Sequence, residues 1–261
     1  MTNVLREDTG AVARLTLNRP KALNALSEAM LADLQSTLDT LAQDPKIRVI
    51  VIAAAGRAFC AGHDLREMTE ARAEPDGGAA RFAQLFDACA QLMQTLPTLP
   101  QPVIAEVSGL ATAAGCQLVA SCDMAIATED ARFGVNGVNI GLFCSTPMVA
   151  LSRNIPRKHA FEMLTTGSFI DAQRACELGL VNHVVRSEHL VDETMYLANT
   201  VADKLGSAVR IGKRAFYDQI QMPLDAAYRF TGEVMVANML DSDTTEGIAA
   251  FLEKRDPEWT Q

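Results

Sequence analysis

The chain has 261 residues, 49% of them hydrophobic, which is enough to fill one large domain or two small ones. Its formal charge of −9 at pH 7 argues against nucleic acid as the main ligand. The absence of any run of roughly 18 uncharged apolar residues argues against a membrane span. The N-terminus resembles neither a signal peptide nor a transit peptide, so we expect a cytoplasmic protein.

The first predicted elements are a hairpin, a helix and a buried strand. Short strands over 4–7 and 12–17 flank a turn at Gly10. Ser27 can cap a following helix, whose apolar residues recur at helical spacing: Met30, Leu31, Leu34, Leu38 and Leu41. The stretch 47–53 is apolar on both faces, which predicts a buried central strand.

The middle of the chain repeats a strand, a turn and a helix. After a polar loop, the pattern predicts a helix over 79–96, a strand over 103–107, a helix over 114–121 and a strand over 124–127. Such repeats favour a right-handed α/β arrangement. Composition alone does not separate a Rossmann-type sheet from a spiral of smaller units.

After residue 188 the pattern predicts helices and no strand. The predicted helices cover 190–205, 208–221, 224–240 and 246–255. We therefore divide the chain into a core that carries the site, over 1–188, and a helical region over 189–261.

Two stretches of one design follow predicted buried strands. The first runs from Ala58 to Met68, and the second from Pro102 to Gln117. Small residues in both let the backbone pass close to a neighbour, and free N–H groups at such a turn can bind a developing negative charge. Two turns that direct their N–H groups at one oxygen form an oxyanion hole, which suits a thioester carbonyl on its way to an enolate.

With these residues the chain resembles the crotonase family, also called the enoyl-CoA hydratase/isomerase family. The similar segments run nearly end to end, at 17–26, 58–68, 102–123, 130–134 and 246–255. The resemblance implies an α/β spiral of repeated ββα units and a C-terminal α-helical region that packs subunits into a homotrimer or a dimer of trimers. The segment 134–147 also resembles a narrower branch, enoyl-CoA hydratase domain-containing protein 3 of animals, which does not supply a reaction.

The resemblance implies a site for acyl-CoA, with coenzyme A as part of the substrate and no tightly bound cofactor. The hole would use the backbone N–H groups of His63 and Ala114. Phe251 and Lys254 match residues that reach a CoA held by the adjacent subunit. The other implied substrate-binding positions are Lys21, Ala22 and Leu23 at the adenine and phosphate end, with Ala61, Asp64, Leu65, Arg66, Leu110 and Asn136.

The chain departs from the hydratases at the two positions where they use glutamates, because it has Gln117 and Gly137 there. Gln117 can position a water but cannot accept a proton, and Gly137 has only its backbone. Each missing general catalyst costs about 10²–10⁴ in rate, so we do not expect ordinary two-glutamate hydration. Slow hydration, isomerisation, decarboxylation and thioester hydrolysis remain open. So do two other classes of function, a non-catalytic acyl-CoA-binding protein and an RNA-binding protein.

Other titratable side chains are weaker candidates for chemistry. Cys144 can act as a nucleophile if a cation lowers its pKa, but no partner is readable and a buried thiol is the simpler interpretation. The His63 side chain can point away from the thioester. The six cysteines have no metal-site spacing, and His159 and His183 do not complete a zinc pattern, so we expect free thiols and no metal. We expect Glu106 to be structural.

Overall fold

The computed structural model describes residues 2–260. Within that range the chain forms ten strands and eleven α-helices. The strands are β1 (Val4–Thr9), β2 (Val12–Leu17), β3 (Val49–Ala54), β4 (Ala58–Cys60), β5 (Val103–Val107), β6 (Leu110–Thr112), β7 (Met124–Thr128), β8 (Arg132–Gly134), β9 (Ile170–Asp171) and β10 (His183–Val185). The helices are α1 (Glu28–Ala42), α2 (Leu65–Ala71), α3 (Ala79–Thr98), α4 (Ala114–Ser121), α5 (Pro147–Asn154), α6 (Arg157–Thr166), α7 (Ala172–Leu178), α8 (Leu190–Ala202), α9 (Gly206–Gln219), α10 (Leu224–Met239) and α11 (Ser242–Glu253).

The main sheet has six strands in the order β1-β2-β3-β5-β7-β10. The hairpin of β1 and β2 is antiparallel, and every later pairing in this sheet is parallel. The first five residues of β3 are buried, as the apolar run predicts, although the strand begins at Val49, two residues later than expected. Parallel strands buried on both faces need helices above and below, which α1, α3 and α8 provide.

A second sheet, in the order β4-β6-β8-β9, was not predicted from the sequence. Its first three members have three residues each, too short to show an alternating pattern. Each of them directly follows a strand of the main sheet, so that β3 leads to β4, β5 to β6, and β7 to β8. A helix follows each pair, which is the repeated ββα order of the expected spiral.

The predicted polar loop over 69–78 is partly helical, because α2 extends into it to Ala71. The side chain of Asp64 accepts a hydrogen bond from the Arg66 backbone N–H at 3.1 Å and so caps α2. Asp76 closes the remaining turn by accepting from the backbone N–H groups of Gly78 and Ala80, each at 2.9 Å.

The helical region begins with a helix that belongs to the core. In α8, Ala198 and Ala202 pack with Val12, Val49 and Ile104 of the main sheet in one apolar cluster. The division at residue 188, drawn from the loss of strand signals, stays a prediction. No helix in residues 2–260 has the length and apolar character needed to cross a membrane.

A buried lysine fastens α9 to the core. The ammonium of Lys213 donates to the carbonyls of Leu96 and Gln101, each at 2.8 Å, and to the carboxylate of Asp123 at 2.7 Å. Tyr217 donates to the other oxygen of that carboxylate at 2.8 Å. Every donor of the ammonium is used, so this buried charge is structural.

Candidate active site

The turns after β4 and β6 lie against each other. Gly62 has φ +91°, a left-handed conformation that favours glycine. A Cβ placed on it would lie 2.9 Å from the Cβ of Ala113 and 3.5 Å from the backbone nitrogen of Ala114. A side chain at position 62 would therefore separate the two turns.

The second turn is shaped by an unusual backbone conformation at Ala113, with φ 51° and ψ −119°. The N–H of Ala113 donates to the carbonyl of Gly134 at 2.9 Å, which ties the turn to β8. This conformation makes Ala114 the first residue of α4, where an N–H has no acceptor within its own helix. Non-glycine residues with positive φ are costly, so the surrounding contacts hold the turn in place.

The two proposed donors are free within the described chain. Neither the N–H of His63 nor that of Ala114 donates to an acceptor in residues 2–260. The residues flanking His63 bond to Leu26 instead: the Leu26 N–H donates to the Gly62 carbonyl at 2.8 Å, and the Asp64 N–H donates to the Leu26 carbonyl at 3.4 Å. Two unpaired backbone donors thus sit on adjoining turns, one of them at a helix N-terminus.

Gln117 lies one turn after Ala114 in α4 and is 4% exposed. Its side-chain oxygen is buried and makes no hydrogen bond in residues 2–260. Because residues three apart share one side of a helix, the amide lies on the Ala114 side of α4. A buried, unpaired carbonyl oxygen has free capacity to accept a hydrogen bond from a ligand or a water.

Gly137 lies in a short 3-10 helix over Asn136–Ile140 and is buried. A Cβ placed there would overlap the carbonyl oxygen of Leu142 and lie 2.8 Å from the sulfur of Cys144. Gly137 does not have a positive φ, so its backbone conformation does not exclude a side chain. The obstacle is the neighbouring segment, which fills the space that a side chain would need.

The His63 ring packs against a residue that sequence reasoning missed. It meets the Phe86 ring edge to face, with the centroids 5.6 Å apart. Both ring nitrogens are buried, and neither makes a well-formed hydrogen bond within residues 2–260. Burial lowers the pKa of His63, and a backbone group of Leu26 offsets this only in part, so the imidazole is neutral at pH 7.

Asn136 is also anchored by a residue that sequence reasoning missed. Its side-chain oxygen accepts a hydrogen bond from the Thr112 hydroxyl at 2.6 Å. Thr112 is the last residue of β6, next to the turn of the second donor. Leu110, at the start of the same strand, is half-buried. The structure thus brings Asn136 and Thr112 together at the carboxyl ends of β6 and β8, whereas Leu110 lies at the other end of β6.

The residues implied at the CoA end form a second group. Leu23 has φ 51°, and its carbonyl accepts a hydrogen bond from the Ala61 N–H at 3.0 Å. This bond joins the Lys21–Leu23 turn to the turn after β4, which carries His63 and is called the first oxyanion turn below. Lys21 is exposed and Ala22 is half-buried. Buried Asn24 holds this turn, because its side-chain nitrogen donates to the carbonyls of Ala55 and Ala58 at 2.8 Å each.

A third anchor missed from the sequence orients Asp64. Arg19 makes an ion pair with its carboxylate at 3.0 Å. Leu65 and Arg66, the next two residues, are exposed at the start of α2. The Arg66 guanidinium is therefore open to solvent beside the first turn, where it can meet a phosphate.

Phe251 and Lys254 lie elsewhere in the single chain. Phe251 is 82% exposed on α11, and that helix packs against α10. Both side chains are free to meet a second molecule. The single chain does not test the implied contact with a neighbouring subunit.

The remaining candidates have structural surroundings. All six cysteines are free thiols, and burial raises the pKa of Cys144, which disfavours a reactive thiolate. Glu106 pairs with Arg14 at 2.5 Å and is buried, as the structural interpretation expects. His183 is exposed and His159 is half-buried. No group of three or more potential metal ligands is found among residues 2–260.

Comparison with known proteins identifies the family of the chain. The sequence model of the family described as enoyl-CoA hydratase/isomerase matches residues 7–261. Enoyl-CoA hydratase domain-containing protein 3, mitochondrial, from Xenopus laevis is 48% identical over 98% of this chain and 85% of its own length. The crystal structure of an enoyl-CoA hydratase from Mycobacterium smegmatis is 53% identical, with a TM-score of 0.95 and 99% of each chain covered. The crystal structure of human enoyl-CoA hydratase domain-containing protein 3 is 44% identical, with a TM-score of 0.94, and the match covers 98% of this chain and 100% of the other.

These names correct the expected location. Relatives from Xenopus laevis, Danio rerio, Mus musculus and Homo sapiens, at 48%, 46%, 44% and 47% identity, are all named as mitochondrial proteins. The cytoplasmic location that we inferred from the first residues is therefore wrong by this comparison. A short stretch at the start of a sequence is a poor guide to location when it is read without its relatives.

The resemblance to the domain-containing protein 3 branch is confirmed by the same relatives. The fold agrees with that of the Mycobacterium smegmatis enoyl-CoA hydratase over almost the whole length. The chain belongs to the enoyl-CoA hydratase/isomerase family.

Proposed function

We propose that this protein is an acyl-CoA enzyme that holds the thioester carbonyl between the backbone N–H groups of His63 and Ala114 and stabilises an enolate. The observation that carries the proposal is the pair of unpaired donors on adjoining turns. As an enolate forms, negative charge moves onto the carbonyl oxygen. Donors that are already fixed strengthen their hydrogen bonds at that moment without any reorganisation.

The CoA end would lie along the Lys21–Leu23 turn and Arg66. Support comes from the Leu23–Ala61 hydrogen bond, which places that turn directly beside the first oxyanion turn. Lys21 and Arg66 are exposed cations, so phosphates can reach them from solvent. The negative net charge of the chain is compatible with this, because a local pair of cations suffices.

The reaction would be one that needs enolate stabilisation but not two glutamates. Gln117 offers a hydrogen-bonding amide, and the segment over 142–144 occupies the space beside Gly137. Burial keeps the thiol of Cys144 protonated, and it lowers the basicity of the His63 ring, which packs against Phe86. Isomerisation, decarboxylation, thioester hydrolysis and slow hydration are all compatible with this site.

We further propose that the chain works as a homotrimer or a dimer of trimers. The outer faces of the last helices expose large apolar side chains, which a solvated monomer rarely leaves uncovered. These residues are Leu224, Tyr228, Met235, Val236, Met239, Leu240, Phe251 and Leu252. In such an assembly, Phe251 and Lys254 would reach the CoA of a neighbouring subunit.

The oxyanion hole can be tested without knowing the reaction. A 3-oxoacyl thioester ionises to an enolate that absorbs in the ultraviolet, so its acidity can be titrated in the bound state. We expect the protein to lower the apparent pKa of bound 3-oxobutyryl-CoA by roughly 2–3 units per donor, because one donor contributes about 3–4 kcal/mol. An unchanged pKa with the ligand demonstrably bound would refute the hole.

A non-catalytic acyl-CoA-binding protein is the second candidate. It is favoured by the replacement of both family glutamates by Gln117 and Gly137. Turnover separates the two candidates: a panel of enoyl-, 3-hydroxyacyl-, 2-carboxyacyl- and saturated acyl-CoA thioesters should give at least one reaction above the uncatalysed rate. Tight binding with no turnover across the panel would favour the second candidate.

A further inference from the structure

The C-terminal strap, defined as residues 255–260, folds back along α11. Arg255 makes a bidentate pair with Glu246, with nitrogen–oxygen distances of 2.5 and 2.9 Å. Glu246 also accepts the backbone N–H of Glu258 at 2.9 Å. At the start of the helix, Asp243 accepts the N–H and the hydroxyl of Thr260 at 3.0 and 2.9 Å. The strap therefore runs from the end of α11 back to its first turn.

The strap is also packed, because the ring of Trp259 lies over Gly247. A Cβ on Gly247 would come within 2.8 Å of that ring, so the glycine allows the close approach. The strap-facing positions 243, 246, 247 and 250 recur at helical spacing and therefore share one side of α11. Asp243 and Ala250 on this side are buried, whereas Phe251 and Leu252 are exposed.

The strap is joined directly to Lys254. Lys254 has φ 58°, a left-handed conformation that is unfavourable for a lysine. The next N–H, that of Arg255, donates to the Ala250 carbonyl at 3.0 Å, and the Arg255 side chain is locked by Glu246. The pairing with Arg255 lowers the pKa of Glu246 to about 2, so this carboxylate is charged across the physiological range. The backbone that carries Lys254 is thus fixed on its C-terminal side.

We propose that the strap is a positioning device, in which Glu246, Arg255 and Trp259 hold Lys254 so that its ammonium meets the nucleotide phosphates of an acyl-CoA bound to a neighbouring subunit. This inference rests on the proposed function, specifically on the contact between Lys254 and CoA. A lysine has a flexible side chain, and fixing its backbone in advance reduces the entropy lost on binding. Glu246, Arg255 and Trp259 act through Lys254 and do not touch the reacting atoms.

The test compares two ligands that differ only in the nucleotide. Butyryl-CoA carries the phosphates, and S-butyryl-pantetheine lacks them. Glu246→Gln should raise the Kd for butyryl-CoA about three- to tenfold, as expected for a phosphate contact that loses its preferred geometry. The Kd for the pantetheine ester should stay unchanged. Asp225→Asn is the matched control, since it breaks an exposed ion pair with Arg229 at 3.3 Å on α10 and should change neither value.

A second set of variants separates the strap from the contact itself. Lys254→Met should also weaken the binding of butyryl-CoA but not of the pantetheine ester. Adding Glu246→Gln to Lys254→Met should cause little further loss of affinity, because both changes act on one interaction. If Lys254→Met weakens CoA and Glu246→Gln does not, the strap proposal is wrong while the contact stands. If Lys254→Met has no effect, the contact fails and the strap proposal with it.

A loss of folding is monitored by circular dichroism and by subunit mass from light scattering. Arg255→Lys and Trp259→Phe provide milder changes should Glu246→Gln destabilise the chain. These variants should also lose affinity for butyryl-CoA and not for the pantetheine ester, by a smaller factor than Glu246→Gln. Equal weakening of both ligands in every folded variant would show that the strap serves only general stability, and would overturn the proposal.

Discussion

Gly115→Ala should damage the oxyanion hole while leaving the nucleotide site intact. Gly115 follows the second donor, and α4 begins in direct contact with β4. A Cβ at position 115 would overlap the carbonyl oxygen of Cys60 and lie 2.8 Å from its carbonyl carbon and from its Cβ. Carbon atoms pack at about 3.5–4.0 Å, so the start of α4 must move away by roughly 0.7–1.2 Å.

A shift of that size exceeds the tolerance of an oxyanion donor, which works at about 2.7–3.1 Å. We expect a loss close to that of one donor, about 3–4 kcal/mol, or roughly 10²–10³ in any enolate-forming rate. In the ultraviolet titration, the pKa of bound 3-oxobutyryl-CoA should rise by about 2–3 units relative to wild type. Affinity for CoA itself should change little, because the Lys21–Leu23 turn does not depend on α4.

The matched control is Gly212→Ala in α9, where a Cβ meets nothing within 4 Å. It replaces a helical glycine without crowding and should leave the titration unchanged. Wild-type enolate acidity in a folded Gly115→Ala protein would refute the reasoning. It would mean either that α4 tolerates the methyl group without moving, or that the Ala114 N–H does not contribute to the hole.

Four further predictions follow from the site. Gln117→Glu should raise the rate of crotonyl-CoA hydration, measured by loss of enoyl absorbance, and no gain would show that the carboxylate is misaligned. Adding Gly137→Glu should lower the melting temperature, because the new side chain meets Leu142 and Cys144. As the pH drops through about 6.5, the free energy of unfolding should fall by at most about 1.4 kcal/mol per pH unit. The reason is that His63 gains a proton in the unfolded chain, whereas burial resists protonation of the folded ring. A His63→Gln protein with the same pH dependence of melting would contradict this. Lys254→Glu should weaken CoA binding in calorimetry without unfolding, and an unchanged affinity would count against the shared site. Light scattering should give a trimer or hexamer, and a stable monomer at micromolar concentration would defeat both the assembly and the shared site.

Local signals were sufficient where one element carries its own explanation. Ser27 caps α1 by accepting from the Met30 N–H at 3.1 Å, as predicted, and Asp64 caps α2 in the same way. Each cap forms within a few residues, so its pattern is visible in a short stretch. The two site turns were found for the same reason, because small residues directly follow an apolar strand.

Long-range contacts could not be read in this way. Phe86 meets His63 from a different helix, and Arg19 meets Asp64 from 45 residues away. An apolar helix such as α8 looks the same in sequence whether it packs on its own sheet or on a partner. Here Ala198 and Ala202 pack on the sheet, and only the tertiary structure distinguishes the two cases.

The proposed site uses different atoms for two tasks, binding of the oxyanion and transfer of protons. The hole depends on backbone geometry at Gly62, Ala113 and Gly115, where close packing and an unusual conformation direct the N–H groups. Proton transfer depends on side chains, and the two positions that the resemblance assigns to the hydratase glutamates are Gln117 and Gly137 in this chain. Because the two tasks use different atoms, replacing the acids leaves the donors where they are. Under the proposed function, the backbone donors stabilise the enolate, and the proton transfers come from groups other than two glutamates, such as the substrate or water.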